Sequence, residues 1–184
     1  MDSGKRRLNN FTVFDLVMIA LTAALGIAIK PIVVPLVHVI TGPLFIPGGA
    51  VAGGFYMLWI VLGIGYVKRF GTGTLIGIVQ SILVIATGMM GTHGIMSLIS
   101  YTLPGIAADL VFLISKDKQY HVLHYILGCM AANVAGTLVT NFLFFRLPPV
   151  TVALLLSSAA LSGAAGGLIA SSLIKGLERT NLNL

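Results

Sequence analysis

Apolar residues along the chain fall into six long segments, 14–37, 48–67, 73–87, 95–115, 121–145 and 150–173, separated by short stretches that hold most of its charges and prolines. Segments of this kind predict helices of about 20 residues, the length that crosses a bilayer core. Within the first, Ala20, Ala24 and Ala28 recur every four residues, with Ala23 and Gly26 beside them. Residues four apart stack on one helix face, so these alanines leave a shallow groove where another backbone can approach closely. The groove serves either packing inside the molecule or the docking of a partner. A second ridge of small residues, Ala159, Gly163 and Gly167, runs along the sixth segment.

The breaks carry as much information. Lys30, Pro31 and Pro35 disturb the end of the first segment, because proline lacks the N–H of the helical ladder and crowds the preceding turn. They predict a bent or terminated helix. The stretch 38–47 (HVITGPLFIP) is too rich in Pro and Gly to be regular helix. Lys68 and Arg69 end the second segment, GMMGTHG at 88–94 separates the third from the fourth, KDKQ at 116–119 is a polar turn, and Arg146 with Pro148 and Pro149 ends the fifth.

Composition fixes the class. Hydrophobic residues make up 57% and charged residues 9%, with a mean hydropathy of +1.03, whereas a soluble domain is about one quarter charged. The expectation is an all-α integral membrane protein, a bundle of six transmembrane helices forming one domain over 1–184. Cys129 is the lone cysteine, so no disulfide framework or thiolate cluster forms within one chain. The net charge of +6 is split among short loops rather than gathered on one face, which argues against nucleic acid and for a topological role.

That role is the positive-inside rule. With six spans, Lys5, Arg6, Arg7, Lys68, Arg69, Lys116, Lys118, Lys175 and Arg179 fall on one side, and Lys30 and Arg146 on or near the other. Both termini are expected in the cytoplasm of a cell whose plasma membrane the chain crosses repeatedly. The basic arm 1–10 resembles the start of a signal peptide, but the apolar segment after it is long and carries no small-residue cleavage site, so it reads as a retained span.

Polar groups inside the spans must find partners or line a wet cavity. Asn133, Thr137 and Asn141 form a stripe on the fifth span; Gln80, Ser81 and Thr87 lie on the third and Ser97, Tyr101 and Asp109 on the fourth. Each either bridges helices or meets a ligand. Tyr56 and Trp59, neighbours on one face of the second span, either pack or stack on a flat aromatic ligand. His38 and His93 sit in two outer loops and are either solvated or part of a lid; two isolated histidines make a poor transition-metal set. Asp109, counted from the outer loop, lies nearer the cytoplasmic face, in a structural or a functional role.

Enzymatic signatures are missing. The chain has no P-loop pattern, no HEXXH helix, no GXSXG turn and only five acidic residues. No catalytic residue and no cofactor are expected.

The six short spans, the ridge at Ala20, Ala24 and Ala28, and polar groups opening outward resemble the substrate-binding S component of an energy-coupling factor (ECF) transporter. The stretch 71–116, with its glycine-containing loop and the GIAADLVF run at 105–112, is similar to the subgroup associated with thiamin and its hydroxymethylpyrimidine precursor. The resemblance implies a subunit that binds a small vitamin near the outer side, under the loops after the first and third spans. Such a subunit associates with a transmembrane coupling subunit and two ATP-binding subunits, then topples in the membrane to release its cargo inward. It also implies that Ala20, Ala24 and Ala28 contact the coupling subunit. Members that carry cobalt or nickel begin with a histidine-containing N-terminus, and 1–10 contains no histidine, so metal ions are set aside.

On this reading Gln80, Tyr101, Asn133 and Asn141 supply hydrogen bonds, Tyr56 and Trp59 an aromatic wall, and His38 and His93 a lid. The alternative is an autonomous secondary transporter or channel, in which six spans form two inverted repeats of three. The two halves show no obvious similarity. A membrane-embedded enzyme acting on lipid is disfavoured by the shortage of acid, base and metal-ligand residues.

Overall fold

The computed structural model describes residues 11–44, 46–88, 93–115 and 119–181, so the basic arm and the KDK of the polar turn lie outside the described residues. It contains six α-helices: α1 (Val13–Thr41), α2 (Gly48–Val67), α3 (Thr72–Thr87), α4 (Ser97–Leu113), α5 (Val122–Thr140) and α6 (Pro149–Asn181). A 3-10 turn (Gly42–Leu44) follows α1 and a π-helical turn (Asn141–Phe145) follows α5. Five of the helices are long and apolar enough to cross a membrane, and α3 is shorter at 16 residues.

Two boundaries differ from expectation. α1 does not end at its prolines; it runs through Pro31 and Pro35 to Thr41, so the first residues of the 38–47 stretch are helical. In hydrocarbon the alternative to a helix is a set of unsatisfied backbone groups, which makes an interrupted ladder cheaper than none. α6 likewise continues beyond 173, to Asn181. α1 starts at a capping box, in which the Asp15 N–H donates to Thr12 Oγ1 and the Thr12 N–H donates to the Asp15 carboxylate.

α2 is the hub. It packs against each of the other five helices, while α1, α3, α4, α5 and α6 follow one another around it. Its Ile60, Val61 and Ile64 are fully enclosed. Most of the outward surface is Leu, Ile, Val and Phe, as a lipid solvent requires, so tight packing falls to the small residues. At Gly54 a Cβ would strike the Ser162 carbonyl, and at Gly166 it would strike the Gly54 carbonyl. The same serine donates its hydroxyl to the Val51 carbonyl and accepts from the Gly54 N–H at 2.9 Å. A Gly54→Val substitution is therefore expected to lower stability by about 3 kcal/mol, the upper range for overpacking, read as a fall in Tm in detergent; an unchanged Tm would show that α2 and α6 can separate freely.

The ridge on α6 is consumed by this packing. Ala159 is fully buried, and Gly163 and Gly167 lie against the α5 backbone at Cys129–Met130 and Tyr125–Ile126. The ridge on α1 is not: Ala23 and Gly26 are buried, whereas Ala20, Ala24 and Ala28 are exposed on the outside of the bundle, among exposed Leu21 and Leu25.

Candidate functional site

Two cavities stand out. The larger, about 340 Å³, is an open groove between α2 and α6 lined by residues such as Val51, Phe55, Leu161 and Ile169, with no ionisable side chain among its walls. The smaller, about 50 Å³, lies between α1, α2, α3, α4 and α5, and polar chemistry gathers there. Size ranks the groove first, but a recognition site needs a few convergent polar groups as well as space. The smaller cavity is therefore the candidate site.

α1 brings Gly26, Ile27 and Lys30 to its wall, α2 brings Tyr56 and Met57, α3 brings Gln80, α4 brings Ser100, Tyr101 and Pro104, and α5 brings Gly136 and Thr140; His93 closes it from the loop before α4. Lys30 is half-buried and its Nζ donates to the Tyr101 hydroxyl at 2.6 Å. The same ammonium lies 4.2 Å from the Tyr101 ring centroid and 4.9 Å from that of Tyr56, within the range of cation–π attraction. Tyr56 in turn donates its hydroxyl to the Gly49 carbonyl at 2.6 Å, which fixes the ring as a wall. Gln80 is buried with its amide against Gly26, where a Cβ would collide with Nε2. Glycine at 26 is what makes room for that amide.

His93 is held on three sides. Its N–H donates to Ser97 Oγ at 2.9 Å, its Nδ1 lies 3.4 Å from Ser100 Oγ, and its ring stacks on Phe144 with centroids 4.2 Å apart. Burial, reinforced by the Lys30 ammonium, holds the imidazole below its ordinary value. The unfolded chain then takes up the proton first on acidification, so stability is present above the ordinary histidine value and is lost as pH falls below about 6.5. Tm should decline between about pH 7 and pH 5.5, less so in His93→Gln; an identical decline in the variant would remove His93 as the cause.

Of the eight residues expected to meet a ligand, Tyr56, Gln80, His93 and Tyr101 line this cavity. Trp59, Asn133, Asn141 and His38 do not line it. The Asn133 amide donates to the Ala50 and Ala159 carbonyls at 2.9 and 2.8 Å, bridging α2, α5 and α6. Asn141 accepts from the Leu147 N–H at 3.1 Å and stabilises the turn into α6. His38 packs against Gly42 and Gly48, and Trp59 lies just behind Gly26. The α5 face that does reach the cavity is Gly136 and Thr140.

Asp109 takes a structural place. Its carboxylate accepts from the Gly73 N–H at 2.9 Å, the Thr74 N–H at 2.8 Å and the Thr74 hydroxyl at 2.7 Å, capping α3 from the neighbouring helix. The cap of α3 itself, Gly71, has no side chain to do this. Lys30 is the charged cavity residue that the sequence did not single out: a cation in mid-span is the signal, but beside two prolines it reads as a helix disturber.

The opposite end of the bundle is tied by ion pairs, Arg69 Nε to Asp15 at 2.8 Å and Lys68 to Glu178 at 2.9 Å. They join the start of α1, the α2–α3 turn and the end of α6.

Residues 14–135 match the family described as "ABC-type cobalt transport system, permease component", from α1 into α5 and over more than half of the chain. The chain belongs to this family. As a permease component it is a multi-pass protein of the cell membrane with a transport role, and not an enzyme. Its fold is similar to a solved structure described as "Crystal structure of an S-component of ECF transporter", with a TM-score of 0.70 at 18% identity over 94% of this chain and 88% of that one. No curated protein sequence matches the chain.

Proposed function

We propose that this permease component is the substrate-capture subunit of an ECF-type importer, taking a small vitamin or vitamin precursor from outside and delivering it through an energising module of a coupling subunit and two ATP-binding subunits. The observation that carries the reading is the polar cavity at one end of the bundle together with a free alanine ridge on α1. α3 is read as a sixth, short span. The ends that carry Lys68, Arg69, Lys175 and Arg179 are assigned to the cytoplasm by the positive-inside rule, which puts the cavity outside. The fold shared with an S component supports the capture reading.

The cavity walls bear on the substrate. Tyr56 and Tyr101 suit a flat ring, and Gln80, Ser100 and Thr140 suit its hydrogen-bonding edge, in keeping with a thiamin-pathway pyrimidine or a similar heterocycle. An ammonium in the wall disfavours the cationic thiazolium of thiamin itself. Cobalt, which the family description names, fits poorly: one histidine beside a lysine is not a divalent-cation donor set, and among the described residues no three His, Cys, Asp or Glu side chains come together. At about 50 Å³ the cavity is smaller than a site for a drug-sized ligand, so a vitamin enters by displacing Lys30 and the tyrosines from their mutual contacts.

Native mass spectrometry of the detergent-purified protein tests the capture role. A small organic molecule carried through purification, with uptake into liposomes only when the coupling and ATP-binding subunits are present, is the expected result. Uptake by this chain alone would replace the reading with an autonomous transporter.

A further inference from the structure

The charge of the cavity leads beyond its shape. Lys30 is the one formal charge on its walls at neutral pH; the other lining side chains are aromatic, amide, hydroxyl, neutral imidazole or apolar. Among the described residues no carboxylate lies in ion-pair contact with the Lys30 ammonium. The described acidic residues are engaged elsewhere, Asp109 at the start of α3, Asp15 with Arg69 and Glu178 with Lys68. A lysine within a span normally faces a partner or marks the pathway of an ion or substrate, because an uncompensated charge there is costly. Tyrosine hydroxyl and ring faces satisfy its geometry but do not neutralise it.

Resting on the capture reading above, we infer that the substrate is an anion: a small planar heterocycle bearing a carboxylate or an equivalent acidic group, which pairs with Lys30 and accepts a hydrogen bond from the Tyr101 hydroxyl while its ring lies along Tyr56. Lys30 is the specificity residue. It selects against cations by repulsion and against neutral analogues by the missing charge-assisted hydrogen bond. Gln80 and Thr140 remain for the ring nitrogens and exocyclic groups.

Three probes that share a ring, one anionic and two neutral, test this: 4-aminopyrimidine-5-carboxylate, its 5-carboxamide and its 5-hydroxymethyl counterpart, with thiamin as the cationic control. Trp59, the single tryptophan, lies just behind Gly26 and reports binding by its fluorescence, with thermal shift as a second readout. The carboxylate is expected to bind at least about tenfold tighter than the carboxamide, a difference of about 1.4 kcal/mol, and thiamin not at all. Lys30→Met, which removes a charge from the span and so favours insertion, should bring that ratio to about one, whereas Lys30→Arg should keep it. Equal or tighter binding of the neutral or cationic probes, an unchanged ratio in Lys30→Met, or no binding of the carboxylate overturns the inference. A neutral or cationic molecule found by native mass spectrometry also overturns it and leaves the capture role standing; failure of module-dependent uptake overturns the capture role itself.

Discussion

Replacing Ala24 with tryptophan is expected to leave ligand binding at the wild-type level and to reduce coupled uptake to background. Ala20, Ala24 and Ala28 are exposed while the comparable ridge on α6 is buried against α5, so the α1 ridge is the one still free for a second backbone. A large side chain wedged into a close interface costs about 2 kcal/mol or more, which is roughly thirtyfold in affinity. Ala24 faces away from the cavity, which takes Gly26, Ile27 and Lys30 from other positions of the same helix. Binding measured in detergent and uptake measured with the full module separate the two effects. Normal uptake by the variant would place the coupling subunit elsewhere, and lost ligand binding would make the ridge part of the fold.

The second large effect belongs to Asp109. Its removal in Asp109→Ala strands two N–H groups at the start of α3, each worth about 1–3 kcal/mol when buried without a partner, and ends a favourable carboxylate contact with the positive end of that helix. A loss of about 3 kcal/mol or more is expected, seen as a large fall in Tm. Asp109→Asn keeps one acceptor oxygen and should fall between the two, with ligand affinity unchanged once folded. A variant that is stable yet loses its ligand would move Asp109 from scaffold to substrate contact. The capping geometry depends on the close approach of α3 and α4, where a Cβ on Gly105 would strike the Gly73 carbonyl, so glycine at both positions and the carboxylate act together.

Much of this was legible in the chain. Apolar segment lengths gave six helices with most boundaries within a few residues, because the length and polarity of an apolar segment follow from the solvent it must cross. Spacing also put Ala20, Ala24 and Ala28 on one face, but could not say whether that face is covered; exposure decided it. The polar stripe of the fifth span shows where periodicity stops. Asn133, Thr137 and Asn141 share a face, yet Asn133 spends its amide on backbone carbonyls of α2 and α6, and the neighbouring face of Gly136 and Thr140 meets the cavity. Period alone fixes which residues travel together and not what they meet. Lys30 was hidden for a related reason. Its aromatic neighbours come from α2 and α4, and nothing local to α1 announces them.

Helix lengths around the bundle are unequal, and the surrounding lipid must respond. α3 has 16 residues, a rise of about 24 Å, against about 30 Å of hydrocarbon, whereas α6 has 33 residues, about 50 Å. With α3 taken as the sixth span proposed above, acyl chains beside it would be compressed, while α6 would lean or protrude. A body with a thin side and a tall side would then strain a flat membrane unevenly, and bilayer thickness would bear on any tilting of the bundle during transport. Uptake rates compared in vesicles of short-chain and long-chain lipids would then differ even when ligand affinity does not.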